Sequence, residues 1–310
     1  MQNRYVGDIG DFVKYGLIRA VSKSHKIGIA WYLYPDENHN KDGRHIDYLD
    51  DPEKWRHLDP DLFDGIRQIV CSGLRDVRAI ENSGLLNNAV FSSTLLSFEG
   101  VTESRALQRT DWYQDVSSDL KDASLIFADP DNGLCEDRDY LMGTKSHWKR
   151  IPISEVRSLT LGRTGIFYHH NSRRAGGHIK EIQHWIQHLG KDTIAIYWRR
   201  ISNRTFFIVN PNKDLKYHVH EFAQRWAPHC EIVSLNSDSS VVRKPTRAKV
   251  LRKNKLDTET KYCPECGHTF QGVGWGGMDA HWKSKHEHIM PYNNAWPLIK
   301  AGKKPSSAEG

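Results

Sequence analysis

Two sets of residues in this 310-residue chain have the types and spacing to do chemistry. The first is Cys263-Pro-Glu-Cys266, followed after fourteen residues by His281 and, after four more, by His286. Two thiolates on a tight turn and two imidazoles about one helical turn apart can close a tetrahedron around Zn2+. Protein would fill all four positions, so such a zinc is structural. A segment this small has almost no core of its own, and metal binding would supply much of its folding free energy. Phe270 and Trp282 are placed to pack beside the site, and Gly272, Gly274, Gly276 and Gly277 permit a tight return of the chain. Asp279 is placed to cap the helix that carries the two histidines. His268 and His288 are competing ligands close by.

The second set follows an apolar run, Ser124–Ala128 (SLIFA), which leads straight into Asp129-Pro130-Asp131-Asn132-Gly133. An Asp carboxylate and a freed carbonyl at the mouth of a sheet suit two chemistries. One is amine methylation, where they accept hydrogen bonds from a base's exocyclic amine and aim its lone pair at a methyl donor. The other is metal-dependent hydrolysis, where closely spaced carboxylates hold Mg2+. Asp8 and Asp11 are upstream carboxylates that could join Asp129 in such a site. His169 and His170, with Asn171, Arg173 and Arg174, could bind phosphate or a metal. Cys71, Cys135 and Cys230 are isolated and read as inert.

These residues need a scaffold, and the hydrophobic pattern supplies one. Ile27–Tyr34, Ser124–Ala128, Gly165–Tyr168, Thr193–Trp198 and Thr205–Val209 read as buried strands. Helical patterns fall between them at Asp11–Ser24, Asp61–Ser72 and Gly177–Leu189. Strands alternating with helices predict an α/β fold, a Rossmann-like mostly parallel sheet covered on both faces. The last two strands are too close for a crossover helix, so they should form a terminal antiparallel hairpin. A small zinc-finger module then follows.

The net charge of +6 is unevenly placed: residues 241–310 hold 13 Lys/Arg and 6 Asp/Glu, a balance of +7. It is densest in RKPTRAKVLRKNK, where Arg243, Lys244, Arg247, Lys249, Arg252, Lys253 and Lys255 stand without an acidic neighbour. Such a run gains free energy by releasing counterions from a nucleic-acid backbone, DNA or RNA. The divisions expected are an α/β domain over 1–235, a basic linker over 236–261, the finger over 262–296 and a disordered tail over 297–310. A mean hydropathy of −0.65 and the absence of a long apolar run exclude a membrane span. Five cysteines do not make a disulfide framework, and no signal peptide is seen, which points to the cytoplasm.

The segment at 262–296 resembles C2H2-type zinc fingers, and GGMDAHWKSKHE looks like a variant found in small bacterial and phage proteins. The order of motifs in the larger part resembles the RlmJ-like ribosomal RNA adenine methyltransferases. The matching stretches are Gly7–Leu17, Ile29–Arg44, Ile126–Asn132 and Phe206–Pro211. That resemblance implies S-adenosylmethionine as methyl donor, with Asp129, Asp131 and Asn132 at the reacting base. It also implies Lys14 and Tyr15 lining the pocket and Asp36 or Glu37 near the donor. Two departures stand out. Gly43 alone represents the family's glycine-rich turn, and Asp131-Asn132 replace the Pro-Tyr whose ring would stack the base. Three readings follow: a base methyltransferase, an Mg2+-dependent nuclease on the same sheet, and a non-catalytic nucleic-acid-binding or adaptor protein.

Overall fold

The computed structural model describes residues 1–23, 25–37, 43–138, 141–199, 203–235, 261–270 and 277–307. The chain divides into two compact units, Met1–Val242 and Arg243–Gly310.

The first unit is built on a seven-stranded sheet. Its strands are β1 (Ile27–Ala30), β2 (Ala89–Ser92), β3 (Leu125–Ala128), β6 (Thr164–His170), β7 (Ile194–Trp198), β8 (Arg204–Val209) and β9 (Cys230–Val233), in the order β2-β1-β3-β6-β8-β7-β9. The pairs β1–β2, β1–β3 and β3–β6 are parallel. Strand β8 is antiparallel to both β6 and β7, and β9 is antiparallel to β7. The sheet is therefore mixed but mostly co-directional, and the antiparallel pair lies toward one end with β9 as a further strand outside it. Two short strands, β4 (Gly133–Cys135) and β5 (Arg150–Pro152), form a separate parallel pair.

Helices cover both faces, and the two-residue alternation of the strands explains how. Leu125 and Phe127 of β3 join the core that includes α1 (Ile9–Val21), α3 (Pro60–Cys71) and α9 (Lys213–Arg225). Ile126 and Ala128 point the other way, into the core of α5 (Thr102–Asp119), α7 (Ile153–Leu159) and α8 (Gly177–Leu189). The remaining helices, α2 (Pro52–Trp55), α4 (Val77–Asn82) and α6 (Lys145–Trp148), are short.

Strand β1 is shorter than the sequence predicts. It ends at Ala30 because both neighbouring strands end there, with Ala30 opposite Ser92 and Ala128. Trp31–Tyr34 stay buried but find irregular partners: Tyr34 N–H donates to Met1 O at 2.8 Å, and Leu96 N–H to Leu33 O at 2.7 Å. Strands β2 and β9 escaped sequence reasoning. Both are four-residue edge strands carrying half-buried positions, too short for their pattern to register.

The second unit, described over 261–270 and 277–307, pairs β10 (Lys261–Tyr262) antiparallel with β11 (Thr269–Phe270) and continues into α10 (Met278–Lys285) and α11 (Tyr292–Lys300). Where the sequence places a disordered tail from 297, α11 runs on to Lys300 and Pro305 is buried in a short 3-10 turn. Ile299 explains this. Fully buried beside Trp282 and Ala295, it belongs to the small core of the unit and keeps the chain ordered past the expected boundary. Among the described residues, no helix is long and apolar enough to cross a membrane.

Candidate functional site

In an open α/β sheet, ligands bind outside the carboxyl ends of the strands, where the strand order reverses. Here the chain leaves β1 for β2 on one side and returns to β3 on the other. A cavity of ≈ 260 Å³ lies at that end of the sheet. Asp129 and Asp131, just past β3, line it, as do Asn132, Tyr168 near the end of β6, and His170. His170 is the register partner of Arg204, the first residue of β8, which lines the cavity too. Helix α1 contributes Asp11 and Lys14, and the loop after β1 contributes Gly43 and His45.

The core of the site is a buried triad of charges. Lys14 Nζ lies 2.7 Å from Asp11 Oδ1 and 2.6 Å from Asp129 Oδ2, and all three side chains are almost fully enclosed. Tyr15 donates its hydroxyl to Asp11 Oδ2 at 2.9 Å. Burial alone would lower the Lys14 pKa, but the facing Asp11 and Asp129 overcome it and hold the ammonium above the ordinary lysine value. Burial raises the Asp11 pKa against the opposing pull of Lys14. A divalent ion shared by Asp11 and Asp129 would have to sit where the ammonium now sits. Asp8 is the helix cap: its oxygens accept from Gly10 N and His45 N, so the α1 cap falls three residues before Asp11.

The turn after β3 is held from several directions. Asn132 N–H donates to Lys149 O at 2.7 Å, and Gln2 Nε2 donates to Asp131 Oδ2 at 2.9 Å. Lys149 also reaches Glu37 Oε2 at 2.5 Å and lies 3.7 Å from Asp131. Glu37 is thus tied into an ion pair; burial opposes its ionisation, but the Lys149 bond outweighs it and keeps the carboxyl below its ordinary pKa. Asp36 is exposed and accepts from the Arg4 backbone at 3.2 Å. Of the four residues expected at a cofactor, Lys14 alone lines the cavity; Tyr15 stands behind Asp11, while Asp36 and Glu37 do not line it. Where a glycine-rich turn would follow β1, the chain carries Trp31–Tyr34, all buried, and Met1 donates its ammonium to Tyr32 O at 3.2 Å.

Sequence reasoning missed Tyr168, Arg204 and Gly10. Gly10 stands just ahead of the helical pattern expected from Asp11, and the structure makes it the second residue of α1. A Cβ built there would come within 1.2 Å of Arg204 Nη1, so glycine at this position makes room for the guanidinium. Arg204 heads a strand that is apolar from Phe206 onward, and it is buried at the cavity wall.

In the second unit the structure brings the four expected ligands together. One donor atom from each of Cys263, Cys266, His281 and His286 lies within 4.8 Å of the others, a group that can hold a metal ion and whose donors suit zinc. Among the described residues His286 Nε2 is buried without a hydrogen-bond partner, which suits a metal-ligating atom. The tight turn is closed by Gly267 N–H donating to Cys263 O and by Cys263 N–H donating to His268 O, each at 2.8 Å. His281 lies on α10, but His286 is its C-cap residue and has left the helix. Five residues turn the helix by about 140° past a full turn, so two histidines at that spacing face one metal only if the second unwinds. Trp282 and Phe270 flank the histidine rings, at 5.0 Å from His286 and 5.5 Å from His281. His268 stacks on His281 at 4.6 Å and stands outside the ligand group. Gly277, in the left-handed conformation, is the N-cap of α10, which places Asp279 inside the first turn instead of at the cap.

The basic residues Arg243, Lys244, Arg247, Lys249, Arg252, Lys253 and Lys255 lie outside the described residues. No protein-family model matches the chain, and no curated protein matches it. What fold and site define is an α/β protein with a cavity at the sheet's switch point and a separate Cys2His2 unit.

Proposed function

We propose that the α/β unit is a base-modifying enzyme of the S-adenosylmethionine-dependent methyltransferase class acting on nucleic acid. The Cys/His unit is then a zinc-stabilised module that, with the basic run before it, helps engage the strand. The observation that carries this reading is the position of Asp129-Pro130-Asp131-Asn132: at the end of a central parallel strand, at the switch point, and lining the cavity. Asp129 accepts hydrogen bonds from an exocyclic amine and orients its lone pair, with Lys14 holding the carboxylate in place through Oδ2 at 2.6 Å. Tyr5 and Tyr168 line the same cavity and offer rings in place of the stacking residue missing from the turn.

The donor's fit is partial. The space beside β1 is filled by Trp31–Tyr34, which leaves the region walled by Gly43 and His45. Asp131, which lines the cavity and lies 3.7 Å from Lys149, is the carboxylate left to face a ligand with ammonium and sulfonium charges. When bound, S-adenosylmethionine supplies the electrophilic methyl group. The nuclease reading is weakened by Lys14, which already neutralises the carboxylate pair that Mg2+ would bridge.

Calorimetry of the full chain with S-adenosylmethionine tests the proposal, together with transfer of labelled methyl to DNA and RNA. Binding is expected in the wild type and in Asp129→Ala, with transfer lost in the variant by about 100-fold or more. No binding at millimolar donor would sink the methyltransferase reading, and Mg2+-dependent strand cleavage would then be measured.

A further inference from the structure

A second buried polar network sits directly behind the Asp129–Gly133 turn. His169 and Glu181 are each 2% exposed. Leu134 N–H donates to His169 Nδ1 at 3.0 Å. A nitrogen that accepts carries no proton, so the ring's proton is on Nε2, which lies 3.2 Å from Glu181 Oε1. Glu181 in turn accepts from Ser172 N–H at 2.9 Å and from the Ser172 hydroxyl at 2.6 Å. Both ring nitrogens are thereby committed, one of them to the backbone of Leu134 in β4, which directly follows the turn that carries Asp129, Asp131 and Asn132.

The fit around this ring is close. Gly133 has φ +82°, and a Cβ there would come within 2.5 Å of both His169 Cα and His169 Nδ1. Trp185 and Phe207 meet the ring edge-on at 5.5 and 5.9 Å. The next residue along β6 is His170, at the cavity wall opposite Arg204. His169 itself does not line the cavity.

We propose that His169 is a positioning residue: held by Glu181 in its Nε2–H tautomer, it clamps the Asp129–Gly133 turn to β6 and sets how Asp129 and Asn132 reach the ligand. The consequence for ligand binding rests on the reading of the cavity given above; the clamp itself does not. A histidine that merely filled the core would need neither the Leu134 bond nor a defined tautomer. The charged groups facing the ring are Glu181 from α8, which favours the imidazolium, and Arg150 from β5, which opposes it. Burial opposes it most, so the neutral ring is the working form.

Two near-isosteres separate the clamp from simple packing. In His169→Asn the side-chain oxygen stands where Nδ1 stands and can still accept from Leu134. In His169→Gln the amide nitrogen replaces Nε2, keeping the Glu181 bond and losing the acceptor. Hydrogen exchange at Leu134 is measured on the full-length variants without ligand, and S-adenosylmethionine binding by calorimetry. The Gln variant should exchange Leu134 at least about tenfold faster and bind about tenfold more weakly, the equivalent of one buried hydrogen bond, while Asn stays within about threefold of wild type. Equal exchange at Leu134 in the two variants would overturn the clamp. Faster exchange with unchanged affinity would overturn its role in the cavity. Wild type that binds no donor would instead remove the methyltransferase reading, leaving exchange to decide the clamp. Should the variants not fold, nitrogen-15 NMR of the wild-type imidazole reads the tautomer directly, and a proton on Nδ1 would refute the proposal.

Discussion

The Cys/His unit and the Asp129 cavity solve the same problem, holding polar groups close together, in opposite ways. In the Cys/His unit the four ligands come from one short stretch of chain, and the buried apolar core behind them is small: Phe270, Met278, Trp282, Ala295 and Ile299, with Cys263 itself. In the cavity the polar groups come from α1, the turn after β3, the loop after β1, β6 and β8, on a sheet with a large core behind it. The first arrangement is cheap in chain length and places donors that can share an ion; the second needs a whole sheet, and there Lys14 stands between the carboxylates. The largest effect expected from any perturbation follows from this. Stripping metal with a chelator, or Cys263→Ser, should unfold the Cys/His unit outright, since structural zinc contributes on the order of 10 kcal/mol to such modules. The α/β unit should keep its melting transition. Zinc content by mass spectrometry and hydrogen exchange resolved by segment would check both halves, and cooperative loss of the two units together would break the comparison.

Next in size is the buried triad. Lys14→Met leaves Asp11 and Asp129 facing one another without their cation, and breaking a buried ion pair in this way costs about 3–5 kcal/mol. The sign of the pH dependence supplies a sharper check. With the lysine gone, like charge and burial raise the folded-state pKa of the carboxylate pair above the unfolded value. The folded variant then binds more protons than the unfolded chain, so its stability should recover as the pH is lowered from 7 towards 5. Urea midpoints at the two pH values measure it; a variant that loses stability on acidification would mean that the two carboxylates do not interact as the geometry requires.

The same contrast governs what could be read from the sequence. The zinc ligands were legible because their spacing is local and the chemistry is restrictive. Asp129 was legible because an apolar run ends in a polar turn, and the main strands because helices bury them on both faces. Tyr168 and Arg204 were not, since nothing in GIFY or RTFFIV marks which residue will meet the end of another strand. Strand β8 brings Arg204 to His170 only because it reverses between β6 and β7, a property of the sheet and not of its own residues. His169 was singled out with its neighbours as a phosphate or metal ligand, and the structure commits both its nitrogens to Leu134 and Glu181 instead.

Gly10→Ala isolates that long-range component with a smaller effect. Alanine inside a helix is favoured over glycine by up to about 1 kcal/mol, so on helix propensity alone α1 should be stabilised. The new methyl group would occupy the place of the Arg204 guanidinium and turn it out of the cavity. Because Arg204 is buried, losing its place outweighs the helix-propensity gain, and modestly lower thermal stability with weakened ligand binding is the expected pair of results. Normal binding would show that Arg204 can leave without consequence for the ligand.

Acid separates the two units with the smallest effect in the cavity. In the Cys/His unit the ligands must be deprotonated to hold metal, so mild acid releases the ion and the unit unfolds with it. In the α/β unit the relevant groups are His169 and Glu181. Burial, only partly opposed by Glu181, lowers the His169 pKa from 6.5, so its contribution to stability is full above 6.5 and is lost as the pH falls through the lowered value. Burial opposes ionisation of Glu181, yet hydrogen bonds from His169 and Ser172 prevail and bring its pKa down to about 2 from 4.5. Its contribution is full above 4.5 and is lost only as the pH falls through about 2. Exchange protection at Leu134 should therefore weaken in a first step below pH 6.5, after the metal unit has begun to open, and the Glu181 step should follow far below it. Glu181→Gln should abolish the second step and move the first to lower pH, because a neutral amide oxygen can still accept from Nε2 but no longer favours the imidazolium. A single acid transition shared by the zinc ligands and Leu134 would mean that the two units are not separately held, and that the local and long-range designs are not independent.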